Sequence, residues 1–268
     1  MTTWCNGGFV EQLTLAVNER GLMLGDGIFE TIAVRAGNPI WLEQHLQRLQ
    51  SAAGELGFSC DITAIKTTLA VVLQKSSAAS EVLRITLTRG PTPRGLSAQG
   101  HQPSLIISLN AFDLGNLPKS VRLATSRIRR NVTAPSSRLK TLSYLDAIAA
   151  AREVTNQADD ALMLNTNGHV ASTTIANIFL LMGETLVTPA DDQGLLKGIA
   201  RATLIASAKE LGLHVQARIV KPEELHAADA VFLTNSLRLA TVVSSIDGKT
   251  CGTRDISFVN TFFERNMS

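Results

Sequence analysis

Cysteine is scarce in this chain. Its 268 residues carry three, Cys5, Cys60 and Cys251, odd in number, scattered, and none in CxxC spacing. That excludes a disulfide framework and the usual zinc-finger arrangements, and leaves reduced thiols as the expectation. No second histidine stands at metal-ligand spacing from His45, so no metal is expected. Net charge is also small, +2, which is too little to imply a nucleic-acid-binding field. No apolar run approaches the length of a membrane span. The opening Met1-Thr-Thr-Trp-Cys5 lacks the charged and apolar regions of a signal peptide. Internal repeats and low-complexity tracts are absent too. What remains is an expected cytoplasmic protein that handles small molecules. Its 45% hydrophobic content is enough for one large core or two ordinary ones.

The stretch with the most chemistry in it is Ser137-Arg-Leu-Lys-Thr-Leu-Ser-Tyr-Leu-Asp146. Lys140 stands there between apolar neighbours. Lysines withdrawn from water lose their proton more readily and become nucleophiles able to condense with an aldehyde. The following Tyr144-Leu-Asp-Ala-Ile-Ala-Ala-Ala-Arg152 has helical periodicity, which places Lys140 on a strand end or turn entering a helix. The plainer reading is a surface lysine ahead of a helix.

The chain before it reads as alternating strands and helices. Residues 8–17 alternate weakly and predict a strand, broken at Asn18-Glu-Arg-Gly21. Gly25 and Gly27 bracket Asp26 in a sharp turn, followed by a β-rich run to Val34. Apolar residues at Leu42, Leu46, Leu49, Ala53 and Leu56 form a helical stripe stopped by Gly57. Asp61 is suited to cap a second helix carrying Ile65, Leu69, Val72 and Leu73 inward. Val82–Thr88 alternates strictly, a strand with one polar face, and Ser104–Leu109 is another. Residues 1–110 thus predict a small α+β domain, residues 111–119 a linker, and residues 120–268 a larger α/β domain carrying Lys140. In the latter, Asn167-Gly168 signals a hairpin, and Asn177–Leu181 and Thr185–Thr188 a second one.

Several segments suit an anion. Gly198-Ile-Ala-Arg201 opens a helix after a glycine-bearing loop, and helix starts offer free N–H groups. Thr234-Asn-Ser236 ends a strand in three hydrogen-bonding side chains. Arg48 is a planar, permanently charged fork suited to phosphate, or a helix-surface arginine; His45 reads as a packing or hydrogen-bonding residue. Arg89 and Arg94 flank two prolines on a stiff loop, either a carboxylate-binding pair or a solvated turn.

Taken in order, these segments resemble the fold-type IV pyridoxal-phosphate enzymes, the class IV aminotransferases. The resemblance rests on Gly25-Asp-Gly-Ile-Phe-Glu-Thr31, His45-Leu-Gln-Arg48, Thr88-Arg-Gly-Pro-Thr-Pro-Arg-Gly95 and Lys140-Thr-Leu-Ser-Tyr-Leu-Asp146. It continues through Asn177-Ile-Phe179, Leu196-Lys-Gly-Ile-Ala-Arg201 and Phe232-Leu-Thr-Asn-Ser-Leu237. It implies an α+β, two-domain fold like that of D-amino-acid aminotransferases, pyridoxal 5'-phosphate as cofactor, and a homodimer. By the same resemblance Lys140 is the lysine that carries the cofactor. Arg48, the backbone at Ile199 and Ala200, and Ser236 hold its phosphate, with Asn177 beside it. Phe29 and Arg94 meet a carboxylate-bearing substrate.

Within the family the pattern is closest to the 4-amino-4-deoxychorismate lyases, which release 4-aminobenzoate and pyruvate on the way to folate. Thr31 stands where those lyases place a threonine over the cofactor, and so implies a catalytic hydroxyl. D-amino-acid and branched-chain aminotransferases are the alternative, as is a weakened member that only binds cofactor or metabolite. One departure stands out. Five positions before Asn177 the family carries an acid that pairs with the pyridine nitrogen, and this chain has Ser172. A serine supplies no charge, so a neutral bond replaces a charge-assisted one worth about 1.5–3 kcal/mol.

Overall fold

The run Gly27–Arg35 becomes a strand one place in from a sheet edge, because Ile28, Ile32 and Val34 share one face and find helices to cover them. The structure, a computed structural model, describes residues 1–97, 102–113 and 115–267; Leu114 of the expected linker lies outside the described residues. The chain divides into two units. The first comprises Met1–Asn116 with Leu139–Ser143, the second Leu117–Arg138 with Tyr144–Met267.

In the first unit the described elements are β1 (Thr2–Cys5), β2 (Gly8–Phe9), α1 (Arg20–Leu24), β3 (Gly27–Arg35), β4 (Asn38–Pro39), α2 (Leu42–Leu56), α3 (Ile62–Leu73), β5 (Ser80–Thr88) and β6 (Ser104–Ala111). The strands pair antiparallel in the order β2-β1-β6-β5-β3-β4. Ile28, Ile32 and Val34 of β3 share a core with Leu46, Leu49 and Ala53 of α2 and Ile65, Leu69 and Val72 of α3. Gly57 ends α2 at φ 72°, where a side chain would be strained. Asp61 caps α3 through Ala64 N–H at 3.0 Å.

Two expectations are corrected here. Of residues 8–17 only Gly8–Phe9 pair as a strand; beyond them the segment has no buried face, and Val17 is 91% exposed. A weak alternation with nothing to cover its apolar members does not hold a strand. The break at Asn18–Gly21 runs into a helix, α1, because the Glu19 carboxylate accepts Gly21 N–H at 3.1 Å and Gly25 closes the turn left-handed.

The second unit contains β7 (Ser120–Thr125), α4 (Pro135–Arg138), α5 (Leu145–Val154), β8 (Asp160–Leu164), β9 (Val170–Thr173), β10 (Asn177–Met182), β11 (Thr185–Pro189), α6 (Ile199–Ser207), β12 (His214–Arg218), α7 (Glu224–Ala227), β13 (Ala230–Asn235), β14 (Leu239–Ile246), β15 (Lys249–Thr250) and α8 (Ser257–Arg265). Its sheet runs β12-β11-β10-β13-β14-β7-β8-β9, with β15 on β14, and is parallel at β11–β12, β14–β7 and β7–β8. Such all-apolar strands as Ile178–Leu181 and Val231–Leu233 are covered on both faces, which is why they show no alternation. Phe179 and Phe232 stack across β10 and β13 at 5.3 Å between centroids. Among the described residues no helix is long and apolar enough to cross a membrane.

Candidate active site

Each unit holds part of the predicted machinery. In the first, the segment Leu139–Ser143 lies against the start of β3. Phe29 N–H donates to Lys140 O at 2.9 Å, and Leu142 N–H donates to Gly27 O at 2.8 Å. Gly27 must be glycine for this approach: a Cβ there would stand 2.8 Å from Leu142 Cδ1 and 2.9 Å from Leu87 O. The pairing fixes the backbone of Lys140 and sends its amine over the Phe29 ring, 4.3 Å from the centroid.

A second cation, Arg84, stands 3.8 Å from the same ring and is steadied by a 3.2 Å bond from Nε to Thr86 Oγ1. In register, Phe29 faces Thr86 and Thr31 faces Arg84. Alternation therefore puts Phe29, Thr31, Arg84 and Thr86 on one face of the sheet. Phe29 and Thr31 thus share a face, and the Lys140 amine stands over the Phe29 ring. Arg84 escaped the sequence reading. Its signal was there: it is the charged member of the polar face of Val82–Thr88.

The opposite face of β3 carries Glu30, fully buried. Arg48 reaches it from α2 with Nε at 2.8 Å and Nη2 at 2.6 Å, and His45 Nδ1 at 2.7 Å. Burial raises the Glu30 carboxyl, but the charge of Arg48 and the bonds from Arg48 and His45 outweigh it and hold it at about 2. His45 is pushed below its ordinary range by burial, against the pull of Glu30 and with Arg48 and Lys140 adding to the depression. A neutral His45 therefore donates from Nδ1, and its buried Nε2 has no partner. Arg48 is neither a solvated surface residue nor a lone fork: an acid holds it in place.

The loop after β5 is tied differently from either expectation for it. Arg20 and Arg89 both bind Asp26 Oδ2, at 2.7 and 2.8 Å. Arg89 also donates to Leu56 O and Gly57 O at 2.6 and 3.0 Å, and Arg20 to Gly95 O and Leu96 O at 2.8 and 3.0 Å. Arg89 is thus a structural tie, neither a solvated turn residue nor half of a carboxylate pair. Arg94 is exposed on the same loop.

In the second unit, Asn177 and Thr234 face each other across β10 and β13. Asn177 Nδ2 donates to Leu196 O at 2.8 Å, which holds the loop leading into α6. Gly198 follows, where any Cβ would collide with Asn177 Oδ1. Helix α6 has no side-chain cap, so the N–H groups of its first turn, at Ile199 and Ala200, are the ones an anion would meet. Beyond Thr234, Asn235 Oδ1 accepts Leu237 N–H and Arg238 N–H at 3.0 and 2.8 Å and shapes the turn bearing Ser236. Thr234 Oγ1 is buried without a partner. The uncapped helix start, the Ser236 turn and that orphan hydroxyl sit at the same end of two adjacent strands, a donor set that fits a phosphate monoester. Ser172 is buried on β9, opposite Met163, and donates its hydroxyl to Thr173 O at 2.9 Å.

Known proteins resemble this chain over most of its length. The family model for amino-transferase class IV matches residues 27–246. An aminodeoxychorismate lyase of Bacillus subtilis (strain 168) is 30% identical over 244 residues, 87% of this chain and 83% of that protein. A putative branched-chain-amino-acid aminotransferase of Methanocaldococcus jannaschii is 29% identical over 264 residues, 96% of this chain and 91% of that one. A solved structure of a putative 4-amino-4-deoxychorismate lyase from Legionella pneumophila superposes with a TM-score of 0.89 at 32% identity, covering 96% of each chain. The chain belongs to the class IV amino-transferase family, a pyridoxal-phosphate-dependent family with the two-domain α+β fold described here.

Proposed function

We propose that the chain is a cytoplasmic lyase that converts 4-amino-4-deoxychorismate to 4-aminobenzoate and pyruvate. The observation that carries this reading is the position of Thr31, on the strand face that also presents Phe29, Arg84 and the Lys140 amine. In this family the bound cofactor supplies an aldehyde for the substrate amine and a ring that draws electrons from it. Lys140 would hold the cofactor, and its amine would serve as the base that takes the proton from the substrate ring carbon. As the C–O bond to the enolpyruvyl group breaks, the ring becomes aromatic. A proton relayed through the Thr31 hydroxyl is added to the methylene carbon of the departing group, giving pyruvate. Arg84, with Arg94 as the other candidate, holds a substrate carboxylate. The N–H groups of Ile199 and Ala200 and the Ser236 hydroxyl would hold the cofactor's phosphate, with Asn177 shaping the loop. Arg48 contributes one charge, oriented by Glu30.

Relatives that are lyases support this reading, and branched-chain aminotransferases are equally similar. Transamination of branched-chain or D-amino acids is therefore the second reading. A homodimer is proposed as well. Val17, Leu22, Met23 and Leu24 are 91%, 68%, 64% and 49% exposed beside the Gly25-Asp26-Gly27 turn, a cluster of apolar side chains a second copy would cover.

The test is an assay of cofactor-loaded protein with aminodeoxychorismate, branched-chain amino acids and D-alanine in parallel. We expect 4-aminobenzoate and pyruvate in equal amounts. Lys140→Ala removes turnover, and borohydride no longer fixes the cofactor to the chain. Thr31→Val lowers 4-aminobenzoate formation by roughly 10²-fold while cofactor binding survives. Brisk transamination with no 4-aminobenzoate would replace this reading with the second.

A further inference from the structure

Ser172 stands where the family resemblance puts an acid beside the pyridine nitrogen, and its surroundings are donor-rich. Its own Oγ–H is committed to Thr173 O at 2.9 Å. The same carbonyl oxygen accepts Arg130 Nη2 at 3.3 Å. The Nε of Arg130 is enclosed and has no partner. Burial draws the guanidinium pKa down, while Tyr144, Asp146 and Asp160, the titratable groups that act on it, work in the other direction.

Asp160 does not replace the missing acid. Met163 pairs with Ser172 and Leu162 with Thr173, so alternation along β8 sends the Asp160 side chain to the other face of the sheet. There its Oδ1 accepts Thr174 Oγ1 at 2.5 Å and Ala161 N–H at 2.8 Å, in a small hollow lined by Val121, Leu233 and Thr241. The Ser172 position thus offers a neutral oxygen and, bonded to the same carbonyl, a guanidinium N–H still in need of an acceptor. A protonated pyridine would bring one more donor and one more positive charge. An unprotonated pyridine brings a lone pair and no charge.

We propose that this chain holds the ring nitrogen of pyridoxal phosphate unprotonated, with Arg130 as the positioning residue that sets that state. The inference rests on the cofactor reading above but not on which reaction follows. It favours reactions whose driving force comes from elsewhere than the ring, such as aromatisation of the substrate.

The experiment uses the full-length protein loaded with pyridoxal phosphate labelled with ¹⁵N in the ring. We expect a ring signal in the neutral-pyridine region throughout the neutral pH range. Ser172→Glu should move it to the pyridinium region, raising the protonation constant roughly 10- to 1000-fold, as a contacting opposite charge does. Arg130→Met, which adds no acid, should raise the same constant by about tenfold; it carries the test if Ser172→Glu does not fold. A pyridinium signal in the wild type, or no change in Arg130→Met, overturns the proposal. Failure to take up any cofactor removes the site reading itself, and this inference with it, and is visible separately as the absence of bound label. A wild type with neutral ring nitrogen that transaminates would leave the inference standing and remove only the lyase.

Discussion

Glu30 in the first unit and Arg130 in the second are both charges tucked against a sheet, and they are satisfied to opposite degrees. Glu30 has both oxygens occupied, by two nitrogens of Arg48 and one of His45. Arg130 has one long bond to a carbonyl and an enclosed Nε with nothing to donate to. The difference teaches that charge alone does not decide what a buried group contributes. A carboxylate that collects three short bonds offsets its desolvation, whereas a guanidinium with one long bond to a carbonyl does not. The first arrangement makes a rigid anchor. The second leaves an unmet donor, which costs free energy rather than stabilising the fold.

The largest way to break this contrast is Glu30→Gln. The amide strips the charge from under Arg48 and His45 and presents a donor to donors. We expect a loss of about 3–5 kcal/mol in urea unfolding, the cost of breaking a buried pair from one side, together with weaker cofactor binding as Arg48 loses its orientation. The pH dependence sharpens the point. Glu30 is held at about 2, below the ordinary 4.5 for glutamate. An acid lowered in the folded state binds protons more weakly there than in the unfolded chain. Its contribution is therefore fully present above about pH 4.5 and is lost as pH falls through about 2. Wild-type stability should decline over that window, and Glu30→Gln should lack that component of the decline. Identical acid limbs in the two proteins would show that Glu30 is not the anchor.

These two regions also mark how far the sequence could be read. The stripe Leu46-Leu49-Ala53, the Asp61 cap and the strands either side of Asn167-Gly168 were legible because periodicity and turn chemistry are local. Phe29, Thr31 and Lys140 could be placed together through motif order, and the strand register then put Arg84 on the same face. The Glu30–His45–Arg48 cluster was not legible. Glu30 and Arg48 are 18 positions apart, and nothing in a one-dimensional pattern says that a strand and the next helix aim them at each other. The same holds for Arg20, Asp26 and Arg89, whose pairing turns an apparent substrate clamp into a loop tie. Helix α8 was missed as well, though Val259, Phe262 and Phe263 stand at helical spacing and are buried. Ser172 was legible as a departure, but that Arg130 donates to the carbonyl of the next residue appears only in the fold.

The smallest effect, and the finest test, is stability in Arg130→Met. The substitution deletes one 3.3 Å bond to Thr173 O, which is near the long limit for an N–H donor and contributes little. It also deletes an incompletely paired charge and the unsatisfied Nε–H, both of which cost free energy when enclosed. Methionine is flexible enough to fill the space the arginine stem leaves. The two losses nearly cancel, and we expect a stability within about 1 kcal/mol of wild type, on the more stable side. Ser172→Glu alone should supply the missing acceptor, whereas Ser172→Glu made on the Arg130→Met background should bury an unpaired carboxylate. Urea unfolding of the four proteins then gives a coupling energy between positions 130 and 172, expected at about 1–3 kcal/mol for residues sharing one network. A loss above about 2 kcal/mol in Arg130→Met would mean that its guanidinium is as well met as the Glu30 carboxylate. No coupling would mean that position 172 does not govern it.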